Sequence, residues 1–169
     1  SGCAATAKFC KQGIRFLQRR PSAERQRIAA IEEGVQIHTL CTTGGSEAIL
    51  FAFMACANEG DEALVVEPFY TNYTAFATMA GVRLVPLRAR GEDGFHLPPV
   101  AEWTKALTPR TRLVLLCNPG NPTGTVYRRD ELETALAFCR EHGLFLVADE
   151  VYRELVYDGR SATSALSLP

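Results

Sequence analysis

The sequence predicts an α/β fold: three layers, αβα, built on a mainly parallel sheet. Three observations lead there. Several apolar runs are continuous rather than alternating, among them ALVV, RLVLLC and LFLVA. These runs alternate along the chain with helical patterns. Strands buried on both faces read as unbroken apolar runs, and helices on both faces are what bury them. Finally, glycine pairs, Asn-Pro steps and carboxylates come directly after the strands. In open parallel sheets, ligands bind beyond the carboxyl ends of the strands.

The elements follow in order. Lys8 to Arg20 carries Phe9, Ile14, Phe16 and Leu17 in an imperfect helical pattern, and Ala23 to Glu33 reads as a second helix. VQIHTLC reads as a short strand. Ser46 to Asn58 is an apolar helix, Glu62 to Val66 a strand, Tyr70 to Ala80 a helix and Val82 to Leu87 a strand. The loop GEDGFHLPP leads to a short helix over Val100 to Leu107, and Arg112 to Cys117 is a strand. Arg129 to His142 is a helix, because Leu132, Ala135, Leu136 and Cys139 recur at i, i+3, i+4 and i+7 and Gly143 closes it. Leu144 to Ala148 is the last strand. Residues 1–40 are expected to form a helical N-terminal segment and residues 41–169 the α/β domain.

Composition bounds the function. The 169 residues suffice for one domain with a core, and 47% apolar with 22% charged residues is a globular balance. A net charge of −1 argues against nucleic acid or an anionic membrane as main partner. No apolar run reaches the roughly 18 residues of a membrane span, and SGCAATAKFCKQ lacks a signal-peptide core. The six cysteines include no C-x-x-C pair. Cys56, Cys117 and Cys139 lie in apolar patterns, so they are expected to be buried thiols in a cytoplasmic protein, not disulfides or zinc ligands. His38, His96 and His142 are scattered, and no metal site is expected. A first residue Ser, not Met, points to a processed chain or a fragment.

Four segments could carry chemistry. In TTGGSEAI (Thr42 to Ile49), two glycines and Ser46 open a helix whose free amides could hold an anion; alternatively Ser46 only caps the helix. A phosphate there requires Glu47 to point away. EPFYTNY (Glu67 to Tyr73) offers rings at the sheet edge, for stacking on a flat ligand or for ordinary core packing. LLCNPGNPTGTVY (Leu115 to Tyr127) stops a strand with two successive Asn-Pro steps. In LFLVADEVYREL (Leu144 to Leu155), a strand runs into Asp149 and Glu150, with Tyr152 beyond. A buried carboxylate needs a partner, here Arg153, a helix N-terminus or a cationic ring nitrogen of a ligand. Together the segments suit one ligand with a phosphate, a flat ring and a protonated nitrogen. Pyridoxal phosphate has all three.

From Cys41 to about Leu168 the chain resembles the large domain of fold-type I pyridoxal-phosphate-dependent aminotransferases, class I/II, in the aspartate-aminotransferase-like branch. The resemblance rests on TTGGSEAI, EPFYTNY, NPGNPTGTVY and ADEVYREL in the family's order. It implies that Gly45 and Ser46 bind the phosphate of pyridoxal 5′-phosphate and that Tyr70 stacks on its ring. It implies further that Asn121 and Tyr152 bind the ring's phenolic oxygen and that Asp149 pairs with the ring nitrogen. Cis peptide bonds before Pro68 and Pro122 are implied as well. Transfer of an amino group between an amino acid and a 2-oxo acid, in a homodimer, is the activity implied.

The family's Schiff-base lysine has no match here, since Lys8, Lys11 and Lys105 stand in other contexts. The chain is therefore expected to be a partial large domain, inactive alone and poorly soluble. A lyase or synthase of the same fold would use the same cradle, and a truncated non-catalytic domain is the non-enzymatic alternative. A nucleotide-binding doubly wound domain would need a glycine fingerprint after its first strand, and none is present.

Overall fold

The architecture is set by a seven-stranded sheet with strand order β3-β1-β2-β7-β6-β4-β5. The computed structural model describes residues 5–10, 13–18 and 38–168. The strands are β1 (Ala5–Cys10), β2 (Gly13–Gln18), β3 (His38–Thr42), β4 (Glu62–Glu67), β5 (Arg83–Arg88), β6 (Thr111–Cys117) and β7 (Phe145–Asp149). Helices α1 (Gly45–Cys56), α2 (Asn72–Met79), α3 (Val100–Ala106) and α4 (Arg129–Glu141) connect them. The pairs β2–β7, β7–β6, β6–β4 and β4–β5 are parallel, while β1 runs antiparallel to both β2 and β3.

The continuous apolar strands feed two cores because successive residues of a strand face opposite sides. On one side Ala63 and Val65 of β4, Leu113 and Leu115 of β6 and Val147 of β7 pack with α1 and α2. On the other, Leu64 and Val66, Val114 and Leu116, and Leu146 and Ala148 pack with Trp103 of α3 and the apolar stripe of α4. That stripe is Leu132, Ala135, Leu136 and Cys139, the residues whose spacing predicts the helix. Each Val or Leu among them contributes about 1.5–3 kcal/mol when fully buried. Pro86 sits in β5, at the edge of the sheet, where a missing amide breaks no ladder on the outer side.

The helix expected over Lys8 to Arg20 is not formed. Residues 5–10 and 13–18 are strands, with Cys10 opposite Gly13 and Ala5 opposite Gln18. Four apolar residues in so short a stretch fit both a 3.6 and a 2.0 period, and pairing with β7 at Ile14 and Arg15 favours the strand. Residues 5–10 and 13–18 therefore join the sheet. The second helix expected, Ala23 to Glu33, lies outside the described residues.

Candidate active site

The segments singled out by sequence end up at the carboxyl ends of β3, β4, β6 and β7. Gly45 and Ser46 of α1, Tyr70 before α2, Asn121 after β6, and Asp149 and Tyr152 at the end of β7 all line one cavity of about 130 Å³. Every site residue expected from the sequence is in that wall.

The first turn of α1 forms one side. Its N-cap is Gly44, which has no side chain to cap with, so Ser46 sits inside the first turn and is not the capping residue. The first amides of a helix have no intrahelical acceptor. Glu47 turns back: its Oε2 accepts from the Thr43 amide at 2.7 Å and the Thr43 hydroxyl at 3.1 Å. The carboxylate is thereby tied to the loop behind the helix.

The double turn after β6 divides its work between two asparagines. Asn118 is 2% exposed; its Oδ1 accepts from the Tyr127 amide at 2.9 Å and its Nδ2 donates to the Thr163 carbonyl at 3.2 Å. It is a latch between backbones. Asn121 lines the cavity, and its Nδ2 donates to the Tyr152 hydroxyl at 3.1 Å. The turn closes through the Gly120 amide on Thr125 O and the Gly124 amide on Gly120 O, both 2.8 Å. A Cβ on Gly120 would lie 2.7 Å from Thr123 Oγ1, so a side chain there would have to displace the Thr123 hydroxyl. Peptide bonds 67–68, 118–119 and 121–122 are cis, one more than the resemblance implies.

The two acids after β7 part company. Glu150 accepts from the Ala165 amide at 2.6 Å and the Ser164 hydroxyl at 2.9 Å, with Arg153 at 3.7 Å. Arg153 is shared between Glu150 and Glu154. Asp149 faces the cavity and is 7% exposed. Its Oδ2 accepts from the Tyr73 hydroxyl at 2.6 Å and its Oδ1 from the Val151 amide at 3.1 Å. No cationic side chain among the described residues pairs with it. Burial pushes its carboxyl above the usual 3.8, against the two hydrogen bonds that lower it.

Tyr73 and Cys117 also line the cavity, and sequence reading assigned neither. Tyr73 lies inside EPFYTNY, a motif already flagged, and only its three-dimensional meeting with Asp149 reveals a role. The Cys117 thiol is pushed up to about 12, by burial first and by Asp149 second. Among the described residues no cluster of His, Cys, Asp or Glu could hold a metal ion.

Comparison with known proteins places this arrangement. The profile of the family described as "Aminotransferase class I and II" matches residues 5–168. The chain belongs to that family. The match reaches well to the N-terminal side of Cys41, where the resemblance in sequence was expected to begin. Among its relatives, the arginine–pyruvate transaminase of Pseudomonas aeruginosa is 35% identical over 94% of the chain and 39% of its own length. The human kynurenine–oxoglutarate transaminase 1 is 38% identical over 78% of the chain and 33% of its own length. The solved aspartate aminotransferase of Thermus thermophilus superposes with a TM-score of 0.66 at 35% identity, covering 71% of the chain and 31% of that structure. An aromatic aminotransferase from Pyrococcus horikoshii gives 0.69 at 34% identity, over 74% and 33%. The chain thus spans between a third and two fifths of the length of these curated relatives. The family's cofactor is pyridoxal 5′-phosphate.

Proposed function

We propose that this chain forms the cofactor cradle of a pyridoxal-phosphate-dependent transaminase, moving an amino group between an amino acid and a 2-oxo acid. The observation that carries the reading is Asp149: a buried carboxylate at the wall of the cavity, without a cationic partner among the described residues. A protonated pyridine nitrogen supplies that missing charge. The rest of the donor set suits the same cofactor. Gly45 and Ser46 offer amides and a hydroxyl to a phosphate at the positive end of α1. Tyr70 offers a ring face, and Asn121 with Tyr152 offers donors to a phenolic oxygen.

When bound, the cofactor supplies an electron sink for the charge left as an amino acid loses its α-proton. The residues here hold that sink ready. Asp149 keeps a proton on the ring nitrogen, because an anion close by favours the cationic form. Asn121 and Tyr152, already hydrogen-bonded to each other, are held together for one oxygen. Tyr70 would stack on the ring from the cavity wall. The lysine that holds the cofactor covalently, homodimer formation and a cytoplasmic location belong to this proposal as properties carried over from the family; the free thiols Cys56, Cys117 and Cys139 fit the last.

Titration with pyridoxamine 5′-phosphate tests the cradle, because that ligand has no aldehyde to react with Lys8, Lys11 or Lys105. Saturable one-to-one binding is expected, weakened about ten-fold or more in Asp149→Ala, as for loss of a charged hydrogen bond. No saturable binding by the folded chain, or binding indifferent to Asp149→Ala, would refute the reading.

A further inference from the structure

Asp149 does not stand alone. We propose that Tyr73 is a positioning residue of this site, whose hydroxyl orients the Asp149 carboxylate and keeps it ionised for a cationic ring nitrogen. The inference rests on the cofactor reading above and extends it to a residue outside the direct contacts.

Three observations carry it. Tyr73 is 1% exposed, and its hydroxyl donates to Asp149 Oδ2 at 2.6 Å, a short charge-assisted bond. Oδ1 is taken from the other side by the Val151 amide. Two donors from different directions fix the plane of the carboxylate, and each oxygen keeps a lone pair for a third donor. Second, Tyr73 also braces Tyr70: the rings meet edge to face, with centroids 5.6 Å apart and planes at 87°. Phe69 stacks on the Tyr73 ring, with centroids 6.3 Å apart. One side chain thus sets both the ring platform and the anion. Third, its place is fixed by backbone, since the Tyr73 amide donates to the Tyr70 carbonyl at 2.9 Å as α2 begins.

The chemistry gives the direction of the effect. A proton between a carboxylate and a pyridine nitrogen resides on the nitrogen only while the carboxylate is the weaker base. Donation from Tyr73 stabilises the anion and so leaves the proton on nitrogen. Burial opposes this by favouring the neutral acid. Among the described residues, the other titratable groups near Asp149 are Tyr73 itself from α2 and the Cys117 thiol from β6, which adjoins the Tyr73 hydroxyl; both are neutral at ordinary pH because burial raises them. Tyr152 lines the same cavity, and Arg153 pairs with Glu150 and Glu154 instead. Among the described side chains, no cation takes the place of the Tyr73 donor.

The test uses pyridoxamine 5′-phosphate labelled with ¹⁵N in the ring, bound to the chain at saturation and followed by NMR across pH. The ¹⁵N shift reports ring protonation directly, which a merely structural role would leave untouched. Tyr73→Phe keeps the ring and removes the donor. At neutral pH its ring ¹⁵N shift is expected to move toward the value of a neutral pyridine, as the proton passes to the now more basic carboxylate, with binding about ten-fold weaker. Asp149→Asn is the reference. If it moves the shift toward the neutral value and Tyr73→Phe does not, the inference about Tyr73 is overturned and the cradle stands. If neither variant moves the shift, the pairing of Asp149 with the nitrogen falls as well. Should Tyr73→Phe fail to fold, 3-fluorotyrosine at position 73, a stronger donor of nearly the same shape, must leave the nitrogen protonated at least as fully as the wild type; a shift toward the neutral value overturns the inference.

Discussion

Neighbouring residues of one type have opposite fates here, and the neighbourhood decides them. Asp149 and Glu150 are consecutive, yet Glu150 is spent on the Ser164 and Ala165 donors while Asp149 keeps acceptor capacity toward the cavity. Asn118 and Asn121 repeat the contrast, one latching backbone and the other facing the ligand space. Holding Asp149 ready costs stability in the absence of a cation. Its folded-state carboxyl lies above the ordinary 3.8, so the penalty sets in as pH rises past that value and is complete above the raised one. Asp149→Asn escapes it: the amide can accept from Val151 and donate to the Tyr73 oxygen. The cofactor-free variant is expected to melt above the wild type at pH 7, by about 2–4 °C per kcal/mol recovered, and to melt alike near pH 3. A lower melting temperature at pH 7 in calorimetry would contradict this.

At the scale of elements, the strands and helices after position 40 were legible because their apolar patterns are long and differ in period. The end of α4 at Gly143, with φ +66°, was legible from the glycine itself. The N-terminal strands were not, because their partner β7 lies far along the chain and local spacing is silent about it. Ion pairing across strands was equally hidden. Glu62 opens β4 and is 1% exposed, yet Arg83 of β5 pairs with it and the Thr108 hydroxyl donates to it at 2.7 Å. Burial alone would raise its carboxyl; Thr108 and Arg83 outweigh burial and bring it below the usual 4.5. Its contribution to stability is therefore present above 4.5 and lost as pH falls through the lower folded value. Thr108→Val is expected to flatten the fall in melting temperature below pH 4.5; an unchanged acid limb would show that the bond carries no linkage.

For the whole molecule, the sheet brings four distant segments to one edge, and that convergence was legible because each motif directly follows a strand. The sequence could name the walls of the cavity; it could not tell which way Glu47 turns or that Tyr73 meets Asp149, since both depend on side-chain directions in three dimensions. The sandwich of layers has one more consequence. Cys56 lies in the core under α1, Cys139 in the opposite core under α4, and Cys117 in the cavity between them. Burial pushes all three thiols up to about 12, so none is a nucleophile while its layer stays closed. The protein therefore carries a built-in reporter for each compartment. Pulsed alkylation read peptide by peptide should modify Cys56 and Cys139 at separate rates if the two helical layers open independently, and at one shared rate if the molecule opens only as a unit. Pyridoxamine 5′-phosphate should slow the labelling of Cys117 most.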